Sequence, residues 1–176
     1  MASLGEYPNL VRDVFALTPE DNAAGIFALT FHIRGKPWIV DVDDALAWGV
    51  DYAHNGLPAG LLFGKPFDYN GDMWATILEK AWSKVKGSVS MAGNGGMIHN
   101  GLRSLVGAPF FEYIPGDSDN ADEVFGLIKS SDEANYLMGA GTNGDEDSDF
   151  NDCGIAMNHA YSLITAFELV AEGTTH

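Results

Sequence analysis

Between residues 72 and 86 the side chains Met73, Trp74, Ile77, Leu78, Ala81, Trp82 and Val85 recur at helical spacing and form one unbroken apolar stripe. The spacing predicts a helix that is mostly buried. Asn70 or Asp72 can cap its first turn, Lys84 and Lys86 suit the negative end of the helix dipole, and Gly87 stops it.

Around this helix the pattern alternates between helical and extended. Leu10, Val11, Val14 and Phe15 share one face of a short helix that ends before Pro19. From Gly25 the period drops to two, with Phe27, Leu29, Phe31 and Ile33 on one face and Ala28, Thr30 and His32 on the other. Arg34-Gly35-Lys36-Pro37 carries turn chemistry and Trp38, Val40 and Val42 resume the alternation, so residues 25–43 read as a β-hairpin. Downstream we expect a short strand near residues 60–63 and a glycine-rich surface loop over 87–101, with a helical turn through Leu102 and Leu105. Further on come a strand over 110–114, an acidic helix over 121–131, a strand over 135–140, an acidic loop over 142–152 and a strand over 156–170. The elements make an α+β chain with no internal repeat.

Composition narrows the function. Nine Lys and Arg stand against 25 Asp and Glu, and a formal net charge of −16 argues against a nucleic-acid or anionic-membrane partner. No run approaches the roughly 18 consecutive apolar residues of a membrane span. The opening Met1-Ala2-Ser3-Leu4-Gly5-Glu6 lacks the charged and apolar regions of a secretory signal. With Cys153 the single cysteine, no intrachain disulfide can form, and a reducing, cytoplasmic setting is the expectation.

Most motif readings fail on their own chemistry. Asp145, Asp147 and Asp149 fall at the first, third and fifth positions of a calcium loop. The sixth position is Phe150 where a sharp turn needs Gly, and the twelfth is Ala156 where a bidentate Glu is needed. Gly93, Gly95 and Gly96 are followed by no Gly-Lys-Ser/Thr, so they do not form a phosphate loop. His32, His54, His99 and His176 show no metal-ligand spacing, and Cys153 lies in a loop with no helix N-terminus or cation to lower its pKa. His159 differs, because it opens a strand directly after a polar loop, where a side chain can face a cleft; the residues alone leave its role open.

Four stretches carry a resemblance. Asp72-Met73-Trp74-Ala75-Thr76-Ile77-Leu78-Glu79-Lys80-Ala81-Trp82-Ser83-Lys84 resembles the calpain helix Glu-Phe-Trp-x-x-Leu-Leu-Glu-Lys-Ala-Tyr-x-Lys. Ala24-Gly25-Ile26-Phe27 with Trp38-Ile39-Val40-Asp41-Val42-Asp43-Asp44 resembles the calpain hairpin that ends in Val-Asp-Asp. Asn158-His159-Ala160-Tyr161-Ser162 is similar to the Gly-His-Ala-Tyr-Ser run of the catalytic histidine, with Asn158 in place of Gly. Gly101 to Gly107 falls where the family has a Gly-Gly junction between two lobes, one Gly being replaced by Ala108.

The resemblance implies a papain-like cysteine endopeptidase core, incomplete as a two-lobe arrangement. Residues 1–106 would be the distal part of the first lobe and 107–176 the beginning of the second. It implies His159 as general acid–base in a Cys, His, Asn triad, with a protein or peptide as substrate. It also implies calcium, with Asp72 where calpains place a Glu ligand; a capping carboxylate is the other reading of Asp72. The chain starts just downstream of the expected Gly-Asp-Cys-Trp nucleophile motif and stops before the Asn-Pro-Trp-Gly run. We therefore expect either a segment of a longer protease, inactive alone, or a pseudoprotease that binds a partner chain.

Overall fold

A computed structural model of the chain describes residues 2–19, 22–51, 57–61, 64, 72–116, 120–146, 148–171 and 174–175. The backbone divides into two compact units, one of Tyr7–Ala108 and one of Ala2–Glu6 with Pro109–His176.

In the first unit, α1 (Pro8–Val14) leads to the antiparallel pair β1 (Ile26–Ile33) and β2 (Lys36–Asp43). A second antiparallel pair follows, β3 (Trp48–Asp51) with β4 (Leu57–Leu61), and then three helices, α2 (Trp74–Lys86), α3 (Val89–Gly93) and α4 (Ile98–Val106). The hairpin register sets Phe31 opposite Trp38 and Leu29 opposite Val40, and Arg34 and Gly35 turn the chain at positive φ. Helices α1, α2 and α4 all pack on β1. The core between them consists of Leu29, Phe31, Val40, Val42, Ile77, Leu78, Ala81 and Leu105, all buried. Phe31 lies against Trp82 of α2 with ring centroids 5.9 Å apart. Thr18 closes the open edge of β1, its hydroxyl donating to the Ala28 carbonyl at 3.2 Å and accepting the Ala28 N–H at 3.0 Å.

The apolar stripe of α2 is buried as expected, and Gly87 ends the helix in the left-handed conformation. The N-cap is Met73, with no side-chain cap bond, so Asp72 does not serve as the cap; Asn70 lies outside the described residues. Lys80 and Lys84 staple the helix to the end of β2. The Lys80 ammonium donates to the Asp43 carboxylate and to the carbonyls of Asp43 and Ala45, and Lys84 donates to the Asp41 carbonyl at 2.6 Å. The Lys80 hydrogen bond, reinforced by the Ala45 N–H, holds the Asp43 carboxyl below its ordinary 3.8. A depressed carboxyl pKa adds stability above 3.8 that is lost as the pH falls through the folded value. Lys80→Met should therefore flatten the acid side of the stability profile, read as a smaller difference between urea midpoints at neutral pH and at about pH 3.

The second unit holds α5 (Ala121–Glu133), the antiparallel pair β5 (Met138–Gly141) and β6 (Ala160–Leu163), and a short pair β7 (Val170–Ala171) with β8 (Thr174–Thr175). Asn120 caps α5 by accepting the Asp122 N–H at 3.0 Å. The 3-10 turn Ala2–Glu6 packs on β6, and Leu4 in it is fully buried.

Four expectations are corrected. The loop expected over 87–101 contains α3 and the start of α4, because Ile98, Leu102 and Leu105 share a helical face despite the intervening glycine. The strand near 60–63 is the end of a longer hairpin, and Leu62 and Phe63 lie outside the described residues. Residues 110–114 do not form a strand, and Phe111 stands fully in solvent. Apart from an isolated bridge at Ala156, the strand expected over 156–170 forms at 160–163 and again at 170–171. Between them Asp132 of α5 takes over from a ladder, accepting the Thr165 hydroxyl at 2.9 Å and the Ala166 N–H at 3.0 Å. Lys129 pairs with Glu168 at 3.1 Å in the same stretch.

Candidate functional site around His159

The register of β5 and β6 builds the surroundings of His159. Gly141 pairs with Ala160, so Thr142 and His159 continue the ladder by one step at the mouth of the acidic loop. The Thr142 N–H donates to the His159 carbonyl at 3.0 Å, and the His159 N–H donates to the Thr142 hydroxyl oxygen at 3.1 Å. That hydroxyl donates in turn to the Ala156 carbonyl at 2.7 Å. One threonine thus ties both sides of the loop to the histidine backbone. The His159 ring meets the Tyr161 ring edge to face, with centroids 5.0 Å apart. Tyr161 is half-buried and its hydroxyl donates to the Ala156 carbonyl at 3.2 Å, which fixes the surface against which the imidazole rests. The His159 side chain itself is exposed.

The residue before it explains a departure in the motif. Asn158 has φ of +46°, in the left-handed region that glycine enters freely and asparagine more readily than other side chains. Its amide donates to the Asp145 carbonyl at 3.1 Å. Asparagine therefore meets the same backbone requirement as the glycine of the similar run. Gly144 closes the loop from the other side, since a Cβ there would lie 2.6 Å from that of Met157.

The acidic loop is ordered by its own chain. Phe150 bridges to Ala156, and the Asn151 side chain accepts the N–H groups of Cys153 and Ile155 at 3.0 and 2.9 Å. Asp147 lies outside the described residues. Cys153 is exposed in the turn of this loop, in the same unit as His159 and not at a helix N-terminus.

Asp72 is exposed just before α2, in the other unit. Calcium takes six to eight oxygen ligands. Among the described residues no group of three or more His, Cys, Asp or Glu is gathered to hold a metal ion, and 65–71 lie outside them. No chemical step is routed through a calcium ion. Among the described residues also, no helix is long and apolar enough to cross a membrane.

Sequence reasoning singled out His159 but not Thr142 or Tyr161 as its neighbours. Thr142 is 17 positions away, and only the β5–β6 register brings it alongside.

The model of the calpain family of cysteine proteases matches residues 1–176. The calpain-type cysteine protease ADL1 of Oryza sativa subsp. japonica is 31% identical over 158 residues. The calpain-type cysteine proteases DEK1 of Zea mays and Arabidopsis thaliana are 31% and 30% identical. Each alignment covers 87% of this chain and 7% of the relative, so the chain spans a small part of the length of these proteins.

Proposed function

Because the chain belongs to the calpain family of cysteine proteases, we propose that it is a segment of a cysteine endopeptidase core and that His159 is its general acid–base. The observation that carries the proposal is the exposed imidazole of His159, with its backbone locked to Thr142 and its ring seated on Tyr161. The two compact units are read as parts of the two protease lobes. In the proposed reaction the imidazole takes the proton of a cysteine thiol, the thiolate attacks the peptide carbonyl, and the imidazolium returns the proton to the leaving amine. An asparagine amide orients the ring. Neither partner is assigned within these 176 residues, because the single cysteine, Cys153, sits in an exposed loop turn of the same unit as His159 and not at a helix N-terminus. The chain alone is therefore inactive. Incubation with an unfolded protein substrate, with and without calcium, is expected to give no cleavage. Turnover lost in His159→Ala would overturn this and make Cys153 the nucleophile.

Calcium dependence belongs to the proposal, with Asp72 as the residue assigned to it. Asp72→Ala should weaken calcium binding in a calorimetric titration, whereas neutralising Asp145, Asp147 and Asp149 should not. Unchanged binding in the Asp72 variant removes that assignment. A cytoplasmic setting is likewise proposed, on the single free thiol.

A second reading, a pseudoprotease that binds a partner chain, is favoured by one observation. Phe111, Ile114, Phe167 and Leu169 of the second unit present apolar side chains to solvent. A partner retained through purification from the native source would support it, and a proteolytically active native protein would exclude it.

A further inference from the structure

The first unit carries a groove of about 470 Å³ on the side of α2 that faces the β1–β2 turn, lined by His32, Arg34, Trp82, Asn100, Arg103 and Ser104 among others. Among the described residues no carboxylate lines it. In a chain with only nine Lys and Arg, three of the lysines are committed to carboxylates: Lys80 to Asp43, Lys84 to Asp41 and Lys129 to Glu168. Arg34 and Arg103 have no such partner among the described residues, and Lys86 adds a third cation over the Trp82 ring, 5.7 Å from its centroid. A chain of net charge −16 thus gathers unpaired cations around one groove.

His32, which lines the groove, packs its ring against Gly107, where a Cβ would come within 2.7 Å of it, and its Nδ1 is enclosed without a hydrogen-bond partner among the described residues. The indole of Trp82 and the side chains of Ile33 and Val85 form an apolar wall beside the arginines. A guanidinium fork fits a carboxylate with two parallel hydrogen bonds, and an aromatic wall next to it suits an adjoining apolar side chain. A bare inorganic anion would use the cations and leave the wall unused. We infer that this groove binds an acidic segment of a partner polypeptide, with carboxylates on Arg34 and Arg103 and a neighbouring apolar side chain on Trp82.

The site is independent of the chemistry proposed for His159 and is read by binding alone. The probe is a fluorescent peptide of sequence Glu-Asp-Glu-Phe-Asp, compared with Gln-Asn-Gln-Phe-Asn, with anisotropy as the readout. Saturable binding of the acidic peptide is expected, at least tenfold weaker for the neutral one. Arg34→Gln with Arg103→Gln should lose at least tenfold, while Arg12→Gln, outside the groove, should bind as the parent does. Both arginines are exposed, and an unchanged melting temperature confirms that the double variant is folded. Equal binding by the double variant overturns the inference. So does full displacement of the acidic peptide by inorganic phosphate at low millimolar concentration, which would mean a simple anion site.

Discussion

Phe31→Ala is expected to unfold the first unit or leave it barely stable. Phe31 has no solvent exposure, lies at the centre of the hairpin face and packs on Trp82 of α2. Truncating a buried phenylalanine costs about 3–5 kcal/mol, from lost transfer energy plus the cavity left behind. Whole domains are stable by only about 5–15 kcal/mol. At about 4–8 °C per kcal/mol for a unit of this size, the melting temperature should fall by well over 10 °C. Phe111→Ala is the control, because that ring is fully in solvent and its removal should change stability by less than about 0.5 kcal/mol. A Phe31→Ala melting curve that overlays the parent would mean that the hairpin and α2 do not share a core.

The second large effect is kinetic. The role proposed for His159 predicts that His159→Ala in the native protein lowers kcat by at least about 10³ with little change in KM, because a triad member acts on the transition state and contributes little to substrate binding. The second unit should keep its fold, since His159 is held by its backbone N–H and carbonyl, which alanine retains. A loss in KM with kcat intact would place His159 in substrate binding. An unchanged rate would remove it from the mechanism.

The parts legible in the sequence were those whose periodicity is uninterrupted. The α2 stripe and the Phe27 to Val42 alternation each encode a buried face directly, and both formed as expected. The α4 helix was hidden because Gly95, Gly96 and Gly101 read as loop, although Ile98, Leu102 and Leu105 already spelled a helical face. At Phe110-Phe111-Glu112-Tyr113-Ile114 intrinsic β preference misled, because that preference expresses packing on a half-buried sheet face and Phe111 is fully in solvent. Residues 164–169 left the ladder because β5 is only four residues long and Asp132 supplied the alternative hydrogen bonds. The His159 motif was visible by resemblance, but the reason that Asn158 can replace glycine is a backbone angle that spacing does not carry.

The central claim is that His159 serves a nucleophile other than Cys153. It is tested most directly by treating the native gene product with a peptidyl epoxide that alkylates activated cysteines, then mapping the label by mass spectrometry in the parent and in His159→Ala. The account predicts a label on a cysteine outside the 176 residues, formed rapidly in the parent and lost in the variant. A label on Cys153, or the absence of any label that depends on His159, would contradict it.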